Sequence, residues 1–349
     1  MTQENAPRLT VIMPAYNAQK YIAASARSVL SQSFEDLELI VIDDGSRDNT
    51  AAVLAELAAR DSRLRPVTVQ NGGPAAARNR GIAEMRPGTE FVLFIDADDE
   101  LSPGALDRAL KGAESGAELV LFGYTIVDAN GRETLYGEPE QLLSREALGE
   151  AFPRLYKANL LNQAWAKLYR ADLLTGPEAP RFQDYRWGED RLFVFDCLER
   201  VKTVCVLPQS GYRYVMHPGE SLISRYYDKK FHVCLTADEK AEALAAAFGV
   251  TDQAALRYMF AKSVFSCITT LFSASCTLSG AEKRAVVKEI LENDRVRRRC
   301  RDTAAGLPTE SLCAVLRTGS VSLNLLAFRM VALAGEALPG LFIRLKHRK

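Results

Sequence analysis

The segment Phe91-Val-Leu-Phe-Ile95, followed at once by Asp96-Ala-Asp98-Asp99, is the most informative part of the sequence. Its continuous run of apolar residues predicts a strand that is buried on both faces. Carboxylates placed directly after such a strand repel one another unless a cation or hydrogen-bond donors lie among them. The segment therefore predicts a buried strand that ends in a polar site.

Apolar runs and amphipathic segments alternate on both sides of this strand. Strands are predicted at Leu9–Met13, Glu38–Ile42, Pro66–Val69, Phe91–Ile95 and Glu118–Phe122. Helices are predicted between them at Ala18–Gln32, Asn49–Ala59, Pro74–Met85 and Pro103–Ser115. This alternation predicts an α/β fold with a doubly wound, mostly parallel sheet that is covered by helices.

Polar clusters follow four of the predicted strands. They are Pro14–Asn17, Asp43–Ser46, Asn71–Pro74 and Asp96–Asp99. Turn chemistry explains any one of these clusters, because Asp, Asn, Gly and Pro are common loop residues. Since ligands of parallel sheets bind at the carboxyl ends of the strands, the four clusters together predict a binding site at one edge of the sheet.

The composition excludes several other classes of protein. Of 349 residues, 48% are hydrophobic and 25% are charged, which excludes a disordered chain, a collagen-like fibre and a coiled-coil rod. The 44 basic and 44 acidic residues balance, so the chain lacks the positive charge of a general nucleic-acid binder. The seven cysteines show no Cys-x-x-Cys spacing and predict buried, reduced thiols. Together with a polar amino terminus, they favour a cytoplasmic location.

Several residues of the polar clusters are candidates for binding a nucleotide. Mg²⁺ and Mn²⁺ take oxygen ligands, often one or two carboxylates together with substrate phosphates, so Asp96-x-Asp98 is a candidate metal–diphosphate site. A carboxylate of Asp43-Asp44 could accept hydrogen bonds from a nucleobase or a ribose. Arg78 could pair with a phosphate, while Gly72 and Gly73 allow a close approach of the backbone. An ordinary turn and a surface arginine are the alternative explanations.

Together these segments resemble the nucleotide-sugar-binding half of family 2 glycosyltransferases with the GT-A fold. The resemblance rests on Val11-Ile-Met-Pro14-Ala-Tyr16-Asn17, Asp43-Asp-Gly-Ser46, Gly73-Pro-Ala-Ala-Ala-Arg78-Asn79-Arg-Gly81 and Phe94-Ile-Asp96-Ala-Asp98-Asp99. The second half resembles the family more loosely, through Trp165-Ala-Lys167-Leu-Tyr169-Arg170, Gly188-Glu189-Asp190 and Tyr212-Arg-Tyr214. Many family members carry Asn at the position of Ala166.

The resemblance implies an inverting glycosyltransferase that moves a sugar, usually from a UDP-sugar, to a hydroxyl of a glycan or lipid-linked acceptor in surface polysaccharide or lipopolysaccharide synthesis. The residues expected to bind the nucleotide-sugar are Pro14, Tyr16, Asp43, Asp44, Arg78 and Asp96. The resemblance further implies Mn²⁺ or Mg²⁺ on Asp98, and a general base supplied by the pair Glu189 and Asp190, with Asp190 preferred. His217 lies where some GT-A enzymes have a further metal ligand; alternatively, its imidazole only hydrogen-bonds a loop.

The same residues allow three other interpretations. A catalytically inactive nucleotide-sugar-binding scaffold would be expected to lack the carboxylates Asp96, Asp98, Glu189 and Asp190, which are all present. Phe91–Asp98 also matches the Asp-x-Asp pattern of haloacid-dehalogenase-like phosphatases, which have Thr or Val at the position of Glu100. The segment Gln183-Asp-Tyr-Arg186-Trp187 matches a pattern of processive synthases but precedes Glu189-Asp190 instead of following it. A single-addition transferase is therefore favoured.

Two domains are predicted. Residues 1–224 are predicted to form the GT-A domain, with a nucleotide-sugar half at 8–122 and an acceptor half at 123–224. Residues 225–349 are predicted to be α-helical, with helices at Ala237–Phe248, Leu256–Leu271 and Ala281–Arg299. The last segment, 321–349, is apolar and ends in Arg344, Lys346, Arg348 and Lys349. It predicts either peripheral contact with an anionic membrane or a packed helix with a solvated basic tail.

Overall fold

The computed structural model describes residues 6–128, 130–217, 225–301 and 309–337. The chain divides into two compact units. Unit 1 consists of residues 1–148 and 159–220, and unit 2 of residues 149–158 and 221–349. Unit 2 thus includes an internal segment, 149–158, that the predicted boundary at residue 224 assigned to the GT-A domain.

In its described residues, unit 1 is built on a ten-stranded sheet. Its strands are β1 (Leu9–Ala15), β2 (Leu37–Asp43), β3 (Leu64–Thr68), β4 (Phe91–Phe94), β5 (Glu100–Leu101), β6 (Leu119–Val127), β7 (Glu133–Tyr136), β8 (Gln141–Ser144), β9 (Lys167–Arg170) and β10 (Thr203–Val215). The order along the sheet is β3-β2-β1-β4-β9-β6-β10-β5, with β7 beside β6 and β8 beside β10. All five predicted strands are present.

The first four strands of this order are parallel to one another, and β6 is parallel to β10. Strand β9 lies between β4 and β6 and is antiparallel to both. The chain order reverses between β1 and β4, and the carboxyl ends of parallel strands beside such a reversal form a natural ligand crevice. The predicted α/β fold with a mostly parallel sheet is confirmed.

The helices that accompany the sheet are α1 (Ile22–Leu30), α2 (Thr50–Arg60), α3 (Gly73–Ala83), α4 (Ala105–Ala113), α5 (Arg145–Lys157) and α6 (Glu189–Arg200), of which α5 crosses the boundary between the two units. Strands β1, β2 and β4 are almost fully buried, as their continuous apolar sequence requires. Helix α3 packs on β1 at Gly81, where a Cβ would lie 2.3 Å from Cγ2 of Ile12. This close approach positions α3 against the centre of the sheet.

The rest of unit 2 is helical in its described part. Its helices are α7 (Lys230–Ala247), α8 (Ala254–Thr269), α9 (Gly280–Glu292), α10 (Asp294–Arg301), α11 (Thr309–Arg317) and α12 (Val321–Ala337). They enclose an apolar core that includes Phe260, Ile268, Ile290 and Phe328. None of the helices in the described ranges is long and apolar enough to cross a bilayer.

The prediction of one helix over Ala281–Arg299 is wrong, because the structure has two helices there, α9 and α10. Asn293 separates them with an extended backbone, at ψ 124°. Its side-chain oxygen accepts the backbone N–H groups of Arg295 and Val296. Asn favours such a capping position, because its side chain competes with the helical hydrogen bonds.

We expect Gly81→Ala to destabilise unit 1, because Ile12 is fully buried and β-branched and cannot move away from the added methyl group. Overpacking of this kind costs about 1–3 kcal/mol, more than the helix gains from alanine. Urea unfolding followed by circular dichroism measures the effect. Gly280→Ala in α9 is the control, because a Cβ there meets no atom within 4 Å. Equal stability of the Gly81→Ala variant and the wild type would contradict the close packing of α3.

Candidate active site

Four of the six predicted nucleotide-sugar-binding residues, Pro14, Tyr16, Asp43 and Asp44, lie at the carboxyl ends of β1 and β2. Pro14 is within β1, and Tyr16 follows the strand with 47% of its surface exposed. The two loops are joined: the backbone N–H of Asn17 donates to the hydroxyl of Ser46 at 2.9 Å, and Asn17 Oδ1 accepts the N–H of Arg47 at 2.8 Å. The structure therefore brings the first two polar clusters together.

Asp44 connects the second cluster to the third. Its carboxylate accepts the backbone N–H groups of Gly72 at 2.7 Å and Gly73 at 2.8 Å, and its carbonyl accepts the side-chain amide of Asn71. Gly73 has φ 87°, which favours glycine. Asp43 is also buried and accepts the N–H of Ser46. Asp44 thus holds the loop that leads into α3, a role that the sequence did not indicate.

The fourth cluster is organised around Asp99. This buried carboxylate accepts the hydroxyl of Tyr212 at 2.7 Å and the backbone N–H of Val215 at 2.9 Å. The Tyr212 oxygen in turn accepts the backbone N–H of Asp96 at 3.1 Å. Burial, and next the nearby Asp98 and Asp96, raise the pKa of Asp99 well above its ordinary value. Asp99 therefore anchors the loop to β10, while the neighbouring Asp98 is exposed.

His217 lies next to Asp98. Its Nε2 is 3.3 Å from the backbone carbonyl of Asp98, and its ring stacks on Tyr21 with centroids 3.9 Å apart. The described residues contain no group of three or more His, Cys, Asp or Glu side chains that could hold a metal ion by themselves. A carboxylate and an imidazole on neighbouring loops, after β4 and after β10, fit a divalent cation whose other ligands are diphosphate oxygens and water, which is how Mg²⁺ usually binds.

Arg78 projects from α3 into a cluster of carboxylates. One guanidinium nitrogen lies 2.8 Å from Asp96 Oδ1, and the other lies 3.1 Å from Glu189 Oε1 and 3.0 Å from Asp190 Oδ1. Only 5% of the arginine side chain is exposed. Burial alone would lower its pKa, but Asp190, Asp96 and Glu189 together raise the pKa above its ordinary value. The guanidinium that the sequence assigned to a phosphate is held among these three carboxylates.

Glu189 and Asp190 form the first turn of α6, after Gly188 at φ 82°. Asp190 Oδ2 accepts the backbone N–H of Ala164 at 3.2 Å. Burial, with the neighbouring Asp190 as the second cause, raises the pKa of Glu189 to about 7. Burial also raises the pKa of Asp190, although Arg78 opposes the shift. A carboxylate with a raised pKa is a stronger base, so the pair is suited to removing a proton.

Two further residues position this pair. Lys167 is fully buried, and its Nζ donates to the carbonyl of Gln163 at 2.6 Å. Burial lowers the pKa of Lys167 to about 7, and the charge of Asp190 partly offsets this shift. Asn79 exchanges two hydrogen bonds, of 2.8 and 2.9 Å, with the backbone of Phe182, which precedes α6 in the chain. Both residues lie in segments that carried the resemblance, but the sequence alone assigned no role to either.

An aromatic cluster borders the same loops. Trp165 stacks on Tyr212 with ring centroids 4.4 Å apart and on Tyr214 at 5.7 Å. Ala166, the residue that departs from the family pattern, has φ 55°, a conformation that asparagine adopts more readily than alanine. The backbone therefore retains here the shape for which Asn is suited.

Comparisons with known proteins identify the family and the fold. Residues 10–174 match the family model described as glycosyl transferase family 2. This part of the chain belongs to glycosyl transferase family 2. The crystal structure of Staphylococcus aureus TarS 1–349 in complex with UDP-GlcNAc aligns with a TM-score of 0.65 at 20% identity, over 95% of this chain and 92% of that one. This alignment shows that the fold is the GT-A fold, as the sequence predicted.

Among curated proteins, the GalNAc(5)-diNAcBac-PP-undecaprenol beta-1,3-glucosyltransferase of Campylobacter jejuni is 38% identical over 127 residues, covering 36% of this chain and 40% of that protein. The succinoglycan biosynthesis protein ExoO of Rhizobium meliloti is 29% identical over 228 residues, covering 64% of each. The chain spans less than two thirds of the length of the curated relatives that it matches.

The raised pKa of Glu189 predicts how the stability of unit 1 changes with pH. Between the ordinary value of 4.5 and about 7 the folded state holds a proton that the unfolded state has lost, so stability falls as the pH rises through this interval. Glu189→Gln removes this dependence. We therefore expect the variant to gain stability relative to the wild type between pH 5 and 8, on the order of 2 kcal/mol.

Urea unfolding at pH 5, 6, 7 and 8 tests this expectation. The fluorescence of Trp165 and Trp187 is a suitable signal, because the chain has two tryptophans and both lie in unit 1. Glu146→Gln is the matched control, since Glu146 is an exposed glutamate in the first turn of α5. Parallel pH profiles for the Glu189→Gln variant and the wild type would show that Glu189 does not hold the extra proton.

Proposed function

We propose that this protein is an inverting, metal-dependent glycosyltransferase that moves a sugar from a nucleotide-sugar to a hydroxyl of a glycan or lipid-linked acceptor. The observation that carries the proposal is the meeting of two sets of carboxylates at Arg78. Asp96 comes from the loop after β4, and Glu189 with Asp190 comes from the start of α6. A donor loop and a base within one cluster are what a direct displacement at a sugar carbon requires.

Asp190 is proposed as the general base. In an inverting transfer the acceptor hydroxyl attacks the anomeric carbon as the nucleoside diphosphate leaves from the opposite side, and the hydroxyl proton passes to the base. A well-positioned carboxylate contributes about 10²–10⁴ in rate to such a step. The hydrogen bond from Ala164 and the contact with Arg78 fix the orientation of Asp190. Glu189 is the more deeply buried of the two side chains, at 10% against 16% exposed, and is proposed to support it.

The loops after β1 and β2 are proposed to bind the nucleoside, with Pro14, Tyr16 and Asp43 as the contacts. Asp44 shapes this site through its bonds to Gly72 and Gly73. A UDP-sugar is the proposed donor, because the TarS structures with the same fold are complexes with UDP-GlcNAc and with UDP. Asp96 is placed to meet the ribose or the transferred sugar.

Asp98 and His217 are proposed to hold Mn²⁺ or Mg²⁺ together with the diphosphate. When bound, the ion neutralises the charge that develops on the leaving diphosphate, an effect that is strongest in the transition state. Asp98 is the exposed carboxylate of this loop, whereas Asp99 is buried against Tyr212 and Val215. The stacking of His217 on Tyr21 holds its imidazole beside the loop.

The acceptor is proposed to belong to a surface polysaccharide, lipopolysaccharide or related glycan that is assembled on a membrane. The matched proteins support this assignment, because one is named for succinoglycan biosynthesis and another for an undecaprenol-linked acceptor. The proposed location is therefore the cytoplasm, at the inner face of the plasma membrane.

We expect Asp190→Asn to lower transfer by at least 10²-fold and to leave UDP binding within about twofold, because the amide cannot accept the proton but keeps the shape of the side chain. Sugar transfer to a crude membrane acceptor and calorimetric titration with UDP and Mn²⁺ measure the two effects.

Asp98→Ala is the matched comparison for this variant. EDTA is expected to weaken UDP binding by the wild type. The Asp98→Ala variant should show this weaker affinity already in the presence of Mn²⁺. Undiminished transfer by the Asp190→Asn variant would exclude Asp190 as the base. Nucleotide binding without transfer by the wild type would favour the inactive scaffold.

A further inference from the structure

Unit 2 contains a cavity of about 620 Å³ that the proposed transfer reaction does not use. It is lined by residues of α9, α10 and α11 and by Val321 at the start of α12, and its basic residues are Lys288, Arg297, Arg301 and Arg317. Its charged lining consists of four basic side chains and one carboxylate. The excess of positive charge points to an anionic ligand.

The arginines of α10 that line this cavity differ from the other arginines of α10 in their ion pairs. Arg295 and Arg299 of α10 both form ion pairs with the buried Asp238, at 2.8 and 3.0 Å, and so serve the packing of unit 2. Arg297 and Arg301, on the cavity side of α10, form no ion pair with a carboxylate of the described residues. We interpret Arg295 and Arg299 as residues that stabilise the fold, and Arg297 and Arg301 as residues that bind a ligand.

Backbone carbonyls hold two of the cavity arginines in place. Arg297 Nε donates to the carbonyl of Leu291 at 3.0 Å. Arg317 donates from one terminal nitrogen to the carbonyls of Cys300 at 3.3 Å and Arg301 at 3.2 Å. Neither arginine pairs with a carboxylate in the described part of the chain, so each keeps its full positive charge and further N–H donors. Guanidinium groups fixed in this way are suited to the oxygens of a phosphate.

The remaining lining of the cavity is apolar. Leu291, Val296, Cys300 and Leu316 are each at most 5% exposed. An apolar lining beneath basic side chains suits a phosphate ester that carries hydrocarbon better than it suits a free phosphate ion.

Helix α12, which begins at the cavity residue Val321, carries a second unusual surface. Leu323, Leu326, Met330 and Leu333 are between 43% and 60% exposed and recur at the spacing of one helical face. The opposite face of α12 packs into unit 2 through Asn324 and Phe328. Exposed apolar side chains grouped on one face commonly mark an interaction surface, and an apolar helix face together with basic side chains is typical of proteins that lie on anionic membranes.

We propose that unit 2 binds the surface of an anionic phospholipid bilayer, with a headgroup phosphate in the cavity on Arg297, Arg301 and Arg317 and the exposed face of α12 in the apolar part of the interface. This site goes beyond the transferase proposal, because it lies in unit 2 and needs neither donor nor acceptor. Failure of one proposal therefore leaves the other intact.

Vesicle sedimentation with the full chain tests this site without any activity. The vesicles contain phosphatidylcholine alone or with about one third phosphatidylglycerol. We expect binding to the anionic vesicles only, and a loss of at least tenfold in affinity for Arg301→Glu. Arg298→Glu is the matched control: Arg298 is exposed on the same helix and does not line the cavity, and its substitution changes the net charge equally. Arg301→Gln serves if the glutamate variant fails to fold, and Leu326→Glu tests the face of α12.

The outcomes separate this proposal from its alternatives. Weakened binding of the Arg301 variant beyond that of the Arg298 variant supports the phosphate site. Equal weakening of both shows a general charge effect and overturns it, as does absence of binding to anionic vesicles. In a thermal unfolding arm, a short-chain phosphatidic acid should stabilise the protein more than inorganic phosphate does. Equal stabilisation by both ligands, or dimerisation through α12 without vesicle binding, would also overturn the proposal.

Discussion

The burial of one guanidinium among three carboxylates is the constraint on which the rest of unit 1 depends. A charge that is removed from water is tolerated only when nearby opposite charges and hydrogen bonds replace its hydration. Arg78 meets this condition only if the loop after β4 and the start of α6 reach it together, although Glu189 lies 111 positions further along the chain. The same condition brings the proposed base close to the proposed donor site.

Other parts of the fold hold Arg78 and its three carboxylates in place. Gly81 allows α3 to lie close on β1, Asp44 fixes the loop that begins α3, and Asn79 fastens the segment before α6 to the same helix. The backbone N–H of Ala164 holds Asp190, and the charges of Lys167 and Asp190 influence each other. The site is therefore built mainly on helices and strand ends, which hold catalytic groups more rigidly than free loops do. The unusual features of unit 2 are a basic cavity and an apolar helix face.

Much of this arrangement could be predicted from local sequence, because buried parallel strands are continuous apolar runs and their carboxyl ends meet at one edge. That argument located β1, β2 and β4 and grouped Pro14, Asp43 and Asp96. Local sequence could not predict contacts between residues that are remote in the chain. Such contacts are the ion pairs of Arg78, the hydrogen bonds of Asp44 with Gly72 and Gly73, and the packing of segment 149–158 in unit 2. Strand β9 escaped prediction because its four residues include Lys167 and Arg170, and the break at Asn293 was hidden by helix-favouring neighbours.

The most direct test of the central claim is the cost of Arg78→Met measured in two backgrounds, the wild type and a Glu189→Gln/Asp190→Asn variant. Urea unfolding with tryptophan fluorescence gives the free energy of unfolding of unit 1. If Arg78 balances these carboxylates, its loss costs about 3–5 kcal/mol in the wild type, because buried charges are left unpaired, and less than half as much once two of them are neutral. An equal cost in both backgrounds would contradict the claim and reduce Arg78 to a packing residue.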